Sequence, residues 1–182
     1  MRIVIAGVAG VGKSTVLQVV EKSTSYDIIN FGTLMYEMAR DIKIVETRDE
    51  IRKLNVETQI NLQKKAATAI GQMEDVIIDT HMAIMGPRGF LPGLPEWVLK
   101  ELKVSAFFLL EADPKEIKKR RSNDGTRLRD EESVEDIKLH QEINRSFAVA
   151  YSVYTGATVS FLTNLPGKAE EVAAKILERL SK

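Results

Sequence analysis

At 182 residues the chain is long enough to bury one substantial core and short for two independent ones. Hydrophobic residues make up 44% and charged residues 29%, a globular balance rather than a disordered or membrane one, and Lys+Arg match Asp+Glu at 26 each. The zero net charge removes the simplest argument for a nucleic-acid partner, and the absence of cysteine excludes disulfides and thiolate metal sites.

The chain opens directly on a β-branched apolar run, Arg2 to Ala6, without the apolar stretch and cleavage site of a signal peptide. No apolar run reaches the ~20 residues that span a bilayer. A soluble, cytoplasmic protein is the expectation, with no membrane and no nucleic-acid partner. The first run is predicted as a strand entering a glycine-rich turn, with a helix from Lys13 to about Lys22. Tyr26 to Phe31 reads as a second short strand, and Thr33 to Ile42 as a helix. A charged stretch from Arg48 leads into a longer helix, whose Leu62, Ala66, Ala69 and Met73 fall on one stripe. Val76, Ile77 and Ile78 form the next buried run, which ends in Asp79. A loop follows, holding Pro87, Pro92 and Pro95 with Gly86, Gly89 and Gly93.

Val104 to Leu110 is predicted as the fourth strand. Asp113-Pro114 reads as N-cap and first helical position of a basic helix. Asn123 to Glu132 carries almost no apolar residue and reads as an exposed loop. The helix after it is predicted to bury Leu139, Ile143, Phe147, Ala150 and Tyr154. Ala157 to Leu162 is the fifth strand, and the last helix buries Val172, Ile176 and Leu180. Short, doubly apolar strands alternating with amphipathic helices imply a parallel sheet covered on both faces. Such sheets bind ligands at the carboxyl ends of their strands, where the turn after Ala6, Gly32 and Asp79 all lie.

Gly7-Val8-Ala9-Gly10-Val11-Gly12-Lys13-Ser14 fits the Walker A pattern G-x-x-x-x-G-K-[ST] and sits between a strand and a helix, as that motif requires. Small residues let consecutive backbone N–H groups converge on phosphate oxygens, and the following helix points its positive end at the same place. The phosphate-binding stretch is taken as Gly7 through Thr15, with Lys13 reaching the β- and γ-phosphates and the Ser14 hydroxyl ligating Mg²⁺. The implied fold is an α/β three-layer sandwich of the P-loop NTPase kind, a five-stranded parallel sheet with helices on both faces and a short lid. The chain is read as one such domain over residues 1–182.

Asp79 closes a Val-Ile-Ile run as a Walker B carboxylate does, holding Mg²⁺ directly or through water, with capping of the next turn as the competing role. His81 is read as a hydrogen-bonding loop residue rather than a metal ligand, because no second His or Cys accompanies it. Seven basic residues between Pro114 and Asp130 (Lys115, Lys118, Lys119, Arg120, Arg121, Arg127 and Arg129) meet only three acidic ones. Arginines flanking a polar loop suit a lid over phosphates, since their forks pair with oxygens and neutralise charge on the transferring group. A solvated helix face is the bland alternative. Arg145 faces either the site or water. Met35, Met38, Met82 and Met85 can line a purine pocket or fill the core.

With these residues placed, the chain resembles the archaeal-type adenylate kinases over nearly its whole length. The resemblance rests on the P-loop together with Asn30-Phe31-Gly32-Thr33, Arg48-Asp49-Glu50-Ile51-Arg52-Lys53-Leu54 and Asp79-Thr80-His81. Gly89-Phe90-Leu91-Pro92-Gly93-Leu94-Pro95, Arg127 with Arg129-Asp130, and Gly156-Ala157-Thr158-Val159 add to it. It implies ATP:AMP phosphotransfer with Mg²⁺ and no zinc, a lid at about 123–132, an AMP-side helical insert at about 32–73, and often a homotrimer. By the same resemblance Gly32, Thr33 and Arg52 lie toward AMP and Arg127 and Arg129 are the lid arginines; His81 and Arg88 are further candidates on the AMP side, and the P-loop Lys13 and Arg121 of the basic cluster are candidates for catalytic charge with the lid pair. Family members often carry Thr-Pro where this chain has Gly86-Pro87-Arg88, so Arg88 either binds the AMP phosphate or is a surface variant.

Two rival functions share parts of this pattern. A kinase for CMP, UMP or a small metabolite would show the same motifs, because acceptor choice depends on a few contacts. A GTPase-like switch would carry a glycine three residues after Asp79 and an Asn-Lys-x-Asp segment. The chain has Met82 at the first place and offers only Thr163-Asn164-Leu165-Pro166 for the second.

Overall fold

The computed structural model describes residues 1–86, 88–123 and 132–181. Its sheet is centred on β1 (Arg2–Ala6), which pairs in parallel with β3 (Val76–Thr80) on one side and β6 (Ala106–Glu111) on the other. β2 (Asp27–Asn30) lies beyond β3 and β7 (Thr158–Thr163) beyond β6, giving a five-stranded, all-parallel sheet in the order β2-β3-β1-β6-β7.

Successive side chains of a strand point to opposite faces, and the apolar strands use both. On one face Val4, Ala6, Ile78, Phe107 and Leu109 pack against α2 (Phe31–Asp41), α3 (Val56–Gly71), α4 (Glu96–Leu102) and α6 (Val134–Thr155). On the other, Ile3, Ile5, Ile77, Phe108 and Leu110 meet α1 (Lys13–Glu21), α5 (Pro114–Ser122) and α7 (Ala169–Leu180). Helices therefore cover both faces, as the alternating pattern requires. Among the described residues no helix is long and apolar enough to cross a membrane.

Helix starts follow local chemistry. The Asn30 carboxamide accepts from Thr33 N, and Asp113 accepts from Lys115 N and Glu116 N ahead of Pro114. The stretch read as a loop after Asp79 instead contains an antiparallel hairpin, β4 (Ala83–Gly86) and β5 (Gly89–Pro92). Pro92 is tolerated because it ends an outlying two-stranded pair.

The buried face of α6 also differs from the expected stripe. Phe147 packs against the core as expected and Ile143 is half-buried, but Leu139, Ala150 and Tyr154 are exposed, and the fully buried positions are Ile137, Asn144, Ala148 and Tyr151. Polar residues hold that face because they serve the backbone of the sheet and hairpin. Gln141 exchanges two hydrogen bonds with the backbone of Ala112, each 3.0 Å. Asn144 Oδ1 accepts from Ala83 N at 2.8 Å, and Tyr151 Oη donates to Met82 O at 2.7 Å. A stripe that satisfies buried backbone groups outcompetes one that is merely apolar. Arg145, on the outer side of α6, forms a bidentate pair with the buried Glu111 at 2.5 Å to each oxygen and covers the Phe161 ring.

Candidate active site

The turn between β1 and α1 is shaped by glycine. Gly10 and Gly12 have φ of 84° and 92°, the left-handed region that side chains disfavour. Gly12 also stands at the N-cap of α1 without a side chain to fill that role, so no side chain caps the first N–H groups of the helix. Open N–H groups at a helix start, combined with the helix dipole, form an anion site.

Lys13 leaves this turn toward β3. Its Nζ donates to Thr80 O at 2.8 Å and is ion-paired with Asp79, both side chains being largely shielded from water. The second Asp79 oxygen accepts from Asn30 Nδ2 at 2.7 Å. Asp79 therefore ties the P-loop lysine to the residue that caps α2. Ser14 is exposed in the first turn of α1. Its hydroxyl and the Asp79 carboxylate are hard oxygen donors, the type that Mg²⁺ selects when phosphate and water complete its shell. Among the described residues no group of three or more His, Asp and Glu side chains could hold a metal ion.

On the far side of Asp79, polar side chains gather at the start of α2, which Asn30 caps. Thr33 Oγ1 donates to Asn30 Oδ1 at 3.0 Å, and Gly32 leaves room above the first turn. That room is filled by Arg48, from the 3₁₀ helix Arg48–Lys53. A Cβ on Gly32 would lie 2.7 Å from Arg48 Nη2, and the guanidinium donates to Asn30 Oδ1 at 3.3 Å and to Thr33 Oγ1 at 3.4 Å. Arg48, quoted in the sequence as part of a motif but given no role, is thus the arginine the fold brings to Gly32 and Thr33. Arg52, one turn on, is exposed and has no hydrogen bond or ion pair to the described residues. Arg88, in the tight turn of the β4–β5 hairpin, is likewise exposed.

His81 follows β3 in the same cleft. The residue as a whole is exposed, yet protein atoms crowd around its imidazole. Crowding, followed by the adjacent Lys13 ammonium, lowers its pKa to about 4. The imidazole is therefore neutral at physiological pH. The folded pKa lies below the usual 6.5, so any effect on stability appears only on acidification, as the unfolded chain takes up a proton that the native chain refuses. Of the two histidine ring signals followed by NMR, that of His81 is expected to stay constant from pH 8 to pH 5. A titration of His81 near pH 6.5 would contradict this environment.

Two arginines of α5 lie behind the P-loop. Arg120 Nη1 donates to Val11 O at 3.0 Å, and Arg121 Nε donates to Ala9 O at 2.8 Å while its guanidinium pairs with Glu132. Arg121 thus touches the loop's outer carbonyls. Arg120 was not singled out in the sequence, where a basic helix offers no way to tell neighbouring arginines apart. Arg127 and Arg129 lie outside the described residues.

Comparison with known proteins agrees with this arrangement. The AAA domain family matches residues 6–138. Adenylate kinase from Thermoplasma acidophilum is 59% identical over 178 residues, covering 98% of this chain and 97% of that protein. Adenylate kinase from Thermoplasma volcanium is 55% identical over 177 residues, covering 97% and 98%. Among solved structures, shikimate kinase from Bacteroides thetaiotaomicron aligns with a TM-score of 0.64 over 100% of this chain and 99% of that one, at 14% identity. Likeness at so low an identity speaks for the fold, a P-loop kinase sheet, and not for the substrate. Identity above one half along nearly the whole of both chains speaks for more: the chain belongs to the adenylate kinase family, in its archaeal form.

Proposed function

We propose that the chain moves the γ-phosphoryl group of Mg-ATP to AMP, reversibly, giving two ADP. The observation that carries this is Asp79 itself, paired on one side with Lys13 at the uncapped start of α1 and bonded on the other to Asn30, the cap of α2, beside Gly32, Thr33 and Arg48. The phosphate chain of ATP enters at the start of α1, and the single phosphate of AMP meets it from the side of Gly32, Thr33 and Arg48. An oxygen of the AMP phosphate attacks the γ-phosphorus while its bond to the β–γ bridging oxygen breaks, and ADP leaves. The protein adds no covalent step and supplies position and charge.

In this assignment Gly7 through Thr15 hold the ATP phosphates, and Lys13 exchanges Asp79 and Thr80 for the β- and γ-oxygens. Ser14 and Asp79 would hold Mg²⁺, which neutralises phosphate charge when bound. Gly32, Thr33 and Arg48 receive the AMP phosphate, with His81 as a neutral neighbour and with Arg52 and Arg88 further out. Arg121, Arg127 and Arg129 provide cations from the α5 side, the last two from a lid at about 123–132. By family resemblance the protein is homotrimeric and free of zinc. A GTPase-like switch has no support from the fold, since Met82 is fully buried where the switch glycine would stand.

The direct test is the initial rate of ADP formation from Mg-ATP with AMP, CMP, UMP and GMP. AMP is expected to be the best acceptor. A preference of tenfold or more for another monophosphate would overturn the acceptor while leaving the fold intact.

Arg48 gives a sharper check of the acceptor site. A charge-assisted hydrogen bond to a phosphate contributes about 1.5–3 kcal/mol, or roughly tenfold to a hundredfold in affinity. Arg48→Ala is therefore expected to raise the KM for AMP by about that factor with little change for ATP, and Arg52→Ala to do much less. The reverse ranking would return the acceptor role to Arg52.

A further inference from the structure

A loop that turns its N–H groups toward an anion turns its carbonyls away, and those carbonyls need donors where water is excluded. Arg121 and Arg120 supply two, to Ala9 O and Val11 O. A third comes from the end of the edge strand β7. Asn164, just after β7, donates from Nδ2 to Val11 O at 2.8 Å, and is only 4% exposed. Its own backbone N–H is fixed to Glu111 O, at the end of β6, by a 2.7 Å bond. The side chain thus spans from β7 past β6 to the loop that follows β1.

Chemistry fixes the orientation of this amide. Val11 O is an acceptor, so only the NH₂ half can face it, and Oδ1 must point the other way. There Oδ1 is buried with no hydrogen-bond donor among the described residues. Gly12 completes the fit: a Cβ at that position would lie 2.4 Å from Asn164 Nδ2. The carboxamide occupies space that only glycine leaves free, directly behind the last residue before Lys13.

A buried amide with one half unmet contributes little to stability, and a leucine of similar volume would fold about as well. Strained or unsatisfied groups gather at functional sites, where position matters more than stability. We propose that Asn164 is a positioning residue for ATP: by holding the Val11 carbonyl it aims the N–H groups of Val11 and Gly12 at the donor phosphates, without touching the nucleotide itself. The inference rests on the assignment of Gly7–Thr15 to ATP.

The test uses the full chain and two variants. Asn164→Leu keeps the volume and loses both the donor and the unmet acceptor. Asn164→Ser keeps a donor on a shorter arm. ATP affinity is measured by calorimetry, KM for ATP and for AMP by steady-state kinetics, and the thermal midpoint by circular dichroism. Asn164→Leu is expected to weaken ATP about tenfold, the scale of one hydrogen bond. Its KM for AMP should stay within about twofold and its midpoint should not fall, while Asn164→Ser should recover part of the ATP affinity. Wild-type ATP affinity in Asn164→Leu would overturn the proposal. So would a parallel loss for ATP and AMP with a lowered midpoint, which marks a merely structural residue. A wild-type chain that binds no ATP would overturn the loop's assignment first, and this inference with it.

Discussion

Lys13→Met is expected to lower kcat by about a thousandfold or more while the chain remains folded. The ammonium of Lys13 is largely shielded from water, bonded to Thr80 O and paired with Asp79 at the carboxyl end of β3. It is a mobile charge on a flexible stem, held by a partner it can leave. When phosphates enter the loop, the same ammonium can meet the β–γ bridge, where charge develops during transfer. A cation placed where the transition state needs it lowers the barrier, whereas uniform binding only lowers KM. Methionine keeps the length of the side chain and loses the charge. It also leaves Asp79 with Asn30 as its remaining partner, so some loss of stability is expected alongside the loss of rate. Circular dichroism separates the two effects. A folded Lys13→Met variant with near-normal turnover would remove the P-loop from the mechanism.

Replacing Arg127 or Arg129 with lysine is the second large effect, an expected fall in kcat of about a hundredfold or more with a far smaller change in the KM for AMP. The described flanks place this segment's ends beside the P-loop: α5 closes at Ser122, and Glu132 on the other side is ion-paired with Arg121, which also binds Ala9 O. Guanidinium groups delivered to a transferring phosphoryl group contribute roughly 10³ to 10⁵ in rate in related enzymes. Lysine retains the charge and loses the planar fork that grips two oxygens at once. Steady-state kinetics on the single variants reads the effect directly. Normal turnover in both would reduce these arginines to a solvated charge run.

The parts of the site that were legible in the sequence are those made by local chemistry. The P-loop needs only a strand, small residues and a helix start in succession, and Asp79 needs only to end a buried strand. Asp113-Pro114 announces a helix start by side-chain capping alone, and the structure shows that cap. What escaped depends on long-range partners. Asn144 and Tyr151 look like poor core residues until Ala83 and Met82 are seen to need their hydrogen bonds, so the apolar stripe marks only part of the inward face of α6, Phe147 among it. The β4–β5 hairpin is short and carries exposed Ile84 and Leu91 opposite one another, a pattern that glycine and proline on either side disguise as a loop. Arg48 and Arg52 belong to one motif four residues apart. Only the path of the 3₁₀ helix brings the first, and not the second, against Gly32.

The central claim is that one chain carries two nucleotide sites whose phosphates meet beside Asp79. Titration with a bisubstrate analogue, ATP joined to AMP through one additional phosphate, tests it most directly. Calorimetry should show one analogue bound per chain, with an affinity well beyond that of ATP or AMP alone, because the second half binds within an already formed complex. Lys13→Met and Arg48→Ala should each weaken it from opposite ends. An analogue that binds no tighter than ATP, and that ignores Arg48→Ala, would show that the start of α2 is not the acceptor site and would contradict the account.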